Sequence, residues 1–216
     1  MIWIFLSILS GLGDAVIFSL MKKLKGVNNS IVVWVHYAFA LPFLFILLYL
    51  NYPQQISSDV YWIAALNGAL LIIPTYMLIK ALQISKLSVS LPMLSLTPLF
   101  LVMLSYFMLK EMPTNAGFIG IILIVVGAYI ANIKNRKGFF EPFKSLFTVK
   151  GSFYVIIVAF IWSITANLFK MGIIASNAIF FTVLVYLFIS LVMLPLFFIK
   201  FNEKLNQLKI NFKTLL

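Results

Sequence analysis

Ile31 to Leu50 reads IVVWVHYAFALPFLFILLYL, twenty consecutive residues without one Asp, Glu, Lys or Arg. That is the length an α-helix needs to cross the roughly 30 Å hydrocarbon core of a bilayer. Pro42 would argue against a helix in water, but in a bilayer neighbouring helices satisfy the carbonyl that a proline frees. On either side, further apolar runs lie at about 2–21, 60–80, 88–109, 115–133, 152–170 and 178–199. Seven spans are therefore predicted, with Pro74, Pro92, Pro98 and Pro195 also inside runs. None shows the period-two alternation of a membrane β-barrel, so the fold class is an all-α polytopic membrane protein.

The composition agrees. Of 216 residues, 63% are hydrophobic and 10% charged, whereas a soluble domain is about half apolar and a quarter charged. Seven spans of about 20 residues leave only short connections and no room for a soluble domain. The net charge of +11 would suggest a nucleic-acid surface in a soluble chain, but the 16 Lys and Arg sit between the apolar runs. The expected partner is the lipid bilayer, with no nucleic acid. The chain lacks Cys, which excludes disulfides, thiolate metal sites and cysteine nucleophiles. The first run has no basic segment before it and contains Asp14, so it reads as a retained span rather than a signal peptide.

If alternate loops face opposite ways, fourteen basic residues fall on one side and only Lys110 and Lys170 on the other. Basic residues are retained in the cytoplasm. The prediction is a multi-pass protein of the plasma (inner) membrane with its N-terminus outside and its C-terminus cytoplasmic.

A weak internal repeat accompanies this pattern. A shift of 148 places Leu20 on Leu168, Lys22 on Lys170, Asn29 on Asn177, Ile31 on Ile179 and Val35 on Val183. Span 1 then matches span 6 and span 2 matches span 7. A five-span repeat is odd in number, so its second copy inserts upside down, an inverted-repeat plan common in transporters. The expected organisation is a complete five-helix repeat at 1–133, a cytoplasmic connection at 134–151, and a second repeat represented by two helices and a tail at 152–216.

Lys80-Ala81-Leu82-Gln83, Leu91-Pro92-Met93-Leu94-Ser95-Leu96-Thr97-Pro98, Leu109-Lys110-Glu111 and the stretch Gly120 to Gly127 resemble the fourth and fifth spans of EamA-type proteins in the drug/metabolite transporter superfamily. Phe160-Ile161-Trp162-Ser163 with Lys170 resembles that family's sixth span. The resemblance implies ten helices, as two inverted five-helix repeats around a central substrate path. Two departures stand out. The repeat implies roughly 300 residues, so three helices are expected to be missing after the seventh. Ten-helix members are also generally described with a cytoplasmic N-terminus, opposite to the charge-based orientation.

Inside the spans, Asp14 is the outstanding polar residue. An ionisable group at depth usually faces a bundle interior or a water-filled path, where it can carry a coupling proton or attract a cation. The alternative is a carboxylate that accepts hydrogen bonds from neighbouring helices. His36 is the only histidine; it is a second-choice proton relay, or an interfacial structural residue, and alone it cannot build a metal site. Ser88, Pro92 and Ser95 share a face of span 4, lining a path or bonding within a kinked helix. Asn67 and Tyr76 in span 3, with Trp162 and Asn167 in span 6, are further lining candidates. Trp34, Tyr61 and Trp62 read as interface anchors. Gly120 and Gly127 belong to a small-residue stripe on span 5 that predicts close helix packing, and lack of a tenth span would leave it available for a homodimer.

The functional expectation is a secondary transporter of a small metabolite or drug-like solute, proton-coupled or facilitated, with no cofactor, no metal and no enzymatic activity. One alternative is an incomplete, inactive transporter fragment. Another follows from Gly11-Leu12-Gly13-Asp14, which resembles the GxGD string of intramembrane aspartyl proteases. That chemistry needs two carboxylates sharing a proton, and no other span holds one.

Overall fold

The computed structural model describes residues 2–85, 87, 91–133 and 150–199; the 134–149 connection, the 200–216 tail and Ser88 lie outside the described residues. Among the described residues eight α-helices follow in order: α1 (Ile2–Lys23), α2 (Asn29–Ala38), α3 (Leu41–Leu50), α4 (Asp59–Ile84), α5 (Thr97–Leu109), α6 (Asn115–Ile133), α7 (Lys150–Ala175) and α8 (Ala178–Phe198). Among the described residues, five apolar helical stretches are long enough to cross a bilayer, and the shorter Met93–Leu109 and Asn115–Ile130 bring the apolar helices there to seven. The protein is an all-α polytopic membrane protein.

Two spans are less regular than the apolar pattern suggested, and proline accounts for both. The second breaks into α2 and α3 at Phe39 and Ala40, with Pro42 in the first turn of α3. Proline has no N–H to give the preceding turn but fits a helix start. The described part of the fourth is a 3₁₀ helix over Leu91–Leu96 that becomes α-helical at Thr97, with Pro98 in that first turn. At 2.0 Å rise for the 3₁₀ residues and 1.5 Å for α5, the pair is about 32 Å long, enough to cross.

α4 and α7 form the centre of the bundle. Their facing sides bury Val60, Ile63, Ala64, Leu78, Ile79 and Leu82 on α4, with Val155, Val158, Ala159 and Leu168 on α7. α8 packs across α2, α3 and α4, α5 lies on α7, and α6 makes its main contact with the 3₁₀ segment. Small residues set how closely the helices approach. A Cβ on Gly172 of α7 would overlap the ring of Phe181 on α8, and one on Gly68 of α4 would come within 2.6 Å of Phe188 Cδ1. Lipid tails are as apolar as leucine, so this packing, rather than expulsion from water, holds the helices together. Outward faces are apolar and exposed, as at Leu9 and Val16 on α1 and Ile122 and Leu123 on α6.

Alternate connections gather at opposite ends. At the lysine-rich end, Lys22 Nζ donates to the Ser85 carbonyl (3.0 Å), Gln83 Nε2 donates to that of Leu24 (3.4 Å), and Lys80 lies 5.3 Å from the ring centre of Tyr154. At the other end, Ser57 N–H donates to the Ala175 carbonyl (2.9 Å) and Asn177 Nδ2 to that of Asn51 (3.0 Å).

The two turns aligned by the 148-residue shift share their Lys-to-Asn spacing but not their conformation. α1 stops at Lys23, passes through Gly26 at φ 102°, and Asn28 caps α2 by accepting from Ser30 N–H. α7 runs on to Ala175, and Asn177 caps α8 directly by accepting from Phe180 N–H. Both turns use an asparagine cap, yet the residue that does so in the first is Asn28, one before the aligned Asn29. Lys170, the end of the span as read from sequence, accordingly lies five residues before the end of α7.

Candidate functional site

On α1, Asp14, Ile17, Phe18 and Met21 are spaced i, i+3, i+4 and i+7, which puts them on one helical face. Met21 is buried and Ile17 and Phe18 pack against the core, so this is the inward face. Asp14 is nevertheless exposed. The helix turns its carboxylate toward the bundle where no described residue covers it. His36 on α2 and Tyr186 on α8 lie within Coulombic reach of Asp14.

A hydroxyl network continues from these groups. The Tyr37 ring stands edge-on to His36 (4.9 Å) and to Tyr186 (4.8 Å). Its Oη lies 2.8 Å from Thr75 Oγ1, and Thr75 donates to the Leu71 carbonyl at 2.7 Å. A threonine hydroxyl has a single proton, so Tyr37 is the donor to Thr75. Four helices thus converge around Asp14, His36, Tyr37, Thr75 and Tyr186. Leu71 lies directly before the turn containing Pro74, where the α4 ladder loses one bond.

The other sequence candidates divide. Asn67 and Asn167 are buried in the α4–α7 contact at 0% and 2% exposure. Asn67 Nδ2 donates to the Thr165 carbonyl (3.2 Å), tying α4 to α7. Asn167 Nδ2 donates to the Ser163 carbonyl (2.9 Å), and its Oδ1 accepts from Ser105 Oγ on α5 (2.7 Å). These amides fasten three helices. Asn67 Oδ1 has no hydrogen-bond partner among the described residues. Trp162 packs against the core of α7, and Ser95 is half-buried in the 3₁₀ segment. Tyr76, 41% exposed, points away from the network while its neighbour Thr75 takes the inward place. A Cβ on Gly120 or Gly127 meets nothing within 4 Å, so the chain's own described packing does not use the stripe. Trp34 holds helices together: its Nε1 donates to the Ser190 carbonyl (3.1 Å) and its ring stacks on Phe197 at 4.7 Å.

Tyr37, Thr75, Tyr186 and Ser105 were not singled out from the sequence. Their signal was available, since each is a hydroxyl inside an apolar span, but the sequence does not show which hydroxyls share a level.

At the end opposite the lysine-rich one, Lys110 adopts a left-handed conformation (φ 57°) that ends α5, and its N–H bonds back to the carbonyls of Ser105 and Tyr106. That reversal brings Glu111 onto Lys170 of α7, an ion pair with each partner about half exposed. Nearby, a polar cavity of about 740 Å³ lies between the α3–α4 loop and the α7–α8 turn, lined by Asn51, Tyr52, Gln54, Gln55 and Asn177 among others.

A bundle of apolar helices that carries a carboxylate on the inward face of one helix and buries hydroxyls and amides between the others defines a polytopic membrane protein with polar groups in its interior. The comparisons assign it further. Residues 1–133 match the EamA-like transporter family, and the chain belongs to that family. The family points to membrane transport of small solutes rather than to an enzyme. The chain is also similar to the uncharacterized protein MJ1333.1 of Methanocaldococcus jannaschii, with 33% identity over 92 residues, 42% of this chain and 67% of the relative. No solved structure is significantly similar.

Proposed function

We propose that the protein is a secondary transporter whose coupling or substrate group is Asp14, with His36, Tyr37, Thr75 and Tyr186 forming the polar surroundings through which a proton or cationic group passes. The observation that carries this reading is the exposed carboxylate on the inward face of α1, the face that packs Ile17, Phe18 and Met21 against the core. A carboxylate there exchanges a proton or binds a cation in turn, and mutually exclusive occupancy is what couples solute movement to a gradient. The polar groups come from several helices, so relative motion of those helices changes the site, as alternating access requires. The family match ends at residue 133, where the fifth span ends, which supports a five-span unit followed by the start of a second.

The intramembrane-protease alternative needs a second carboxylate beside Asp14. Asp59 instead accepts from Trp62 Nε1 at the start of α4, and Glu111 pairs with Lys170.

The test is uptake into proteoliposomes with and without an imposed pH gradient, using ethidium as a cationic probe and labelled alanine as a zwitterionic one. Gradient-driven uptake of one probe by wild type, abolished by Asp14→Asn, is the expected result. Gradient-driven uptake unchanged in Asp14→Asn removes Asp14 from the mechanism. Orientation is tested separately: protease in intact cells cleaves an N-terminal tag if the N-terminus is outside, and leaves it intact if the lysine distribution has misled.

A further inference from the structure

The face of α1 opposite Asp14 carries a different feature. Leu12, Ala15, Val16, Ser19 and Lys23 recur at i, i+3, i+4, i+7 and i+11, one stripe along the helix. Among the described residues these, with Leu20, line a groove of about 370 Å³. Its floor is lowered by the small Ala15 and Ser19 between the larger Leu12, Val16 and Leu20. Ser19 Oγ donates to its own helix at the Ala15 carbonyl (2.8 Å), so the only hydroxyl in the groove is already satisfied and the wall is effectively apolar.

Length and charge both identify an occupant. From Leu12 to Lys23 the helix rises about 16 Å, close to one leaflet of a roughly 30 Å hydrocarbon core. An acyl chain fits that run, and Lys23 stands where the phosphate of the same lipid lies. Lys23 and Lys25 are exposed, and neither has a hydrogen-bond or ion-pair partner among the described residues, whereas Lys22 beside them is held by the Ser85 carbonyl. Asp14 projects from the other side of α1, so no carboxylate of this helix competes for the two amines. A lysine that merely snorkels to the interface needs no groove beneath it. We propose that this stripe is a binding site for one anionic phospholipid, its acyl chain along Leu12 to Leu20 and its phosphate on Lys23 and Lys25.

The experiment uses the full chain in nanodiscs of phosphatidylcholine containing a minor fraction of phosphatidylglycerol, with retained lipid read by native mass spectrometry. Wild type should retain phosphatidylglycerol in preference to phosphatidylcholine. A juxtamembrane lysine contributes about a fivefold effect on anionic-lipid binding, so Lys23→Gln should lose roughly that and Lys23→Gln/Lys25→Gln roughly thirtyfold. Ala15→Leu fills the groove with both lysines intact and should also lose the lipid, while Lys110→Gln at the other end should not. Equal retention of the two lipids by wild type overturns the proposal, as does wild-type retention by either Lys23→Gln/Lys25→Gln or Ala15→Leu. Displacement by glycerol 3-phosphate would make this a site for free phosphate esters and reject the lipid. A disulfide between two Ala15→Cys copies in the same nanodiscs would make the groove an interface between copies and reject it equally.

Discussion

Two glycines in this bundle should respond in opposite directions to the same substitution. Gly172 on α7 faces Phe181 on α8, and an added methyl would overlap three ring carbons. The ring cannot easily retreat, because Phe181 is fully buried and stands edge-on to Phe169 at 5.1 Å. Overpacking typically costs about 1–3 kcal/mol, and overlap with three atoms of a confined ring puts Gly172→Ala near the top, at about 3 kcal/mol. Replacing glycine by alanine inside a helix returns about 1 kcal/mol. The net is a destabilisation of roughly 2 kcal/mol, about thirtyfold in the folding equilibrium, or a melting temperature lower by about 4–8 °C for a chain of this size. Gly120 on α6 meets nothing within 4 Å, so Gly120→Ala keeps only the helix gain and should melt about 2–4 °C higher. Tryptophan fluorescence melts of both variants in one detergent read the two shifts. A second check is Phe181→Leu, which should cost less in the Gly172→Ala background than alone, because the smaller side chain vacates the overlapped space. If Gly172→Ala melts with or above wild type, or the double variant is strictly additive, the close approach of α7 and α8 is wrong as described.

Other consequences are smaller. Ser105→Ala removes the donor to buried Asn167 Oδ1 and should destabilise by about 0.6 kcal/mol in unfolding assays, and by no more than about 1.7, the average and maximum for bonds between membrane helices. Asn177→Ala removes both the α8 cap and the tie to the Asn51 carbonyl; a loss of about 1 kcal/mol from the cap is expected, with faster hydrogen exchange at Phe180 N–H as the local readout. Glu111→Gln breaks an ion pair that is half exposed at each partner, so its effect on melting should stay within about 1 kcal/mol and shrink further in high salt.

The spans were legible because span length is set by the bilayer and not by the partner a helix packs against. The run at 31–50 showed its apolar length to the eye, and the structure interrupts it only where Pro42 begins a new helix. Span 4 was less legible. An apolar run looks the same whether its backbone is α or 3₁₀, and the change at Thr97 depends on what Pro98 and the neighbouring α7 permit. Lys170 reads from sequence as the end of its span because polarity marks the edge of an apolar stretch, whereas α7 continues past it to Ala175 with the charge held by Glu111.

The candidate site was legible to the extent that burial in lipid is costly for one kind of group. Asp14 and His36 stand out in any apolar run, since an ionisable side chain at depth requires a reason. Hydroxyls and amides carry no such flag. Asn67 and Asn167 resembled path-lining residues, yet the structure places both in the tight α4–α7 contact as interhelical ties. Tyr37, Thr75 and Tyr186 read as ordinary span residues, yet Tyr37 joins Thr75 by a hydrogen bond and Tyr186 by an edge-on ring contact. The sequence by itself determined that this chain lives in a membrane, where its helices run, which ends of them share a side and which carboxylate is out of place. Only the tertiary structure decided which face of α1 turns inward and which polar groups meet across helices, because those depend on how small residues such as Gly68 and Gly172 let neighbouring helices approach. A single chain read along its length holds no measure of that distance.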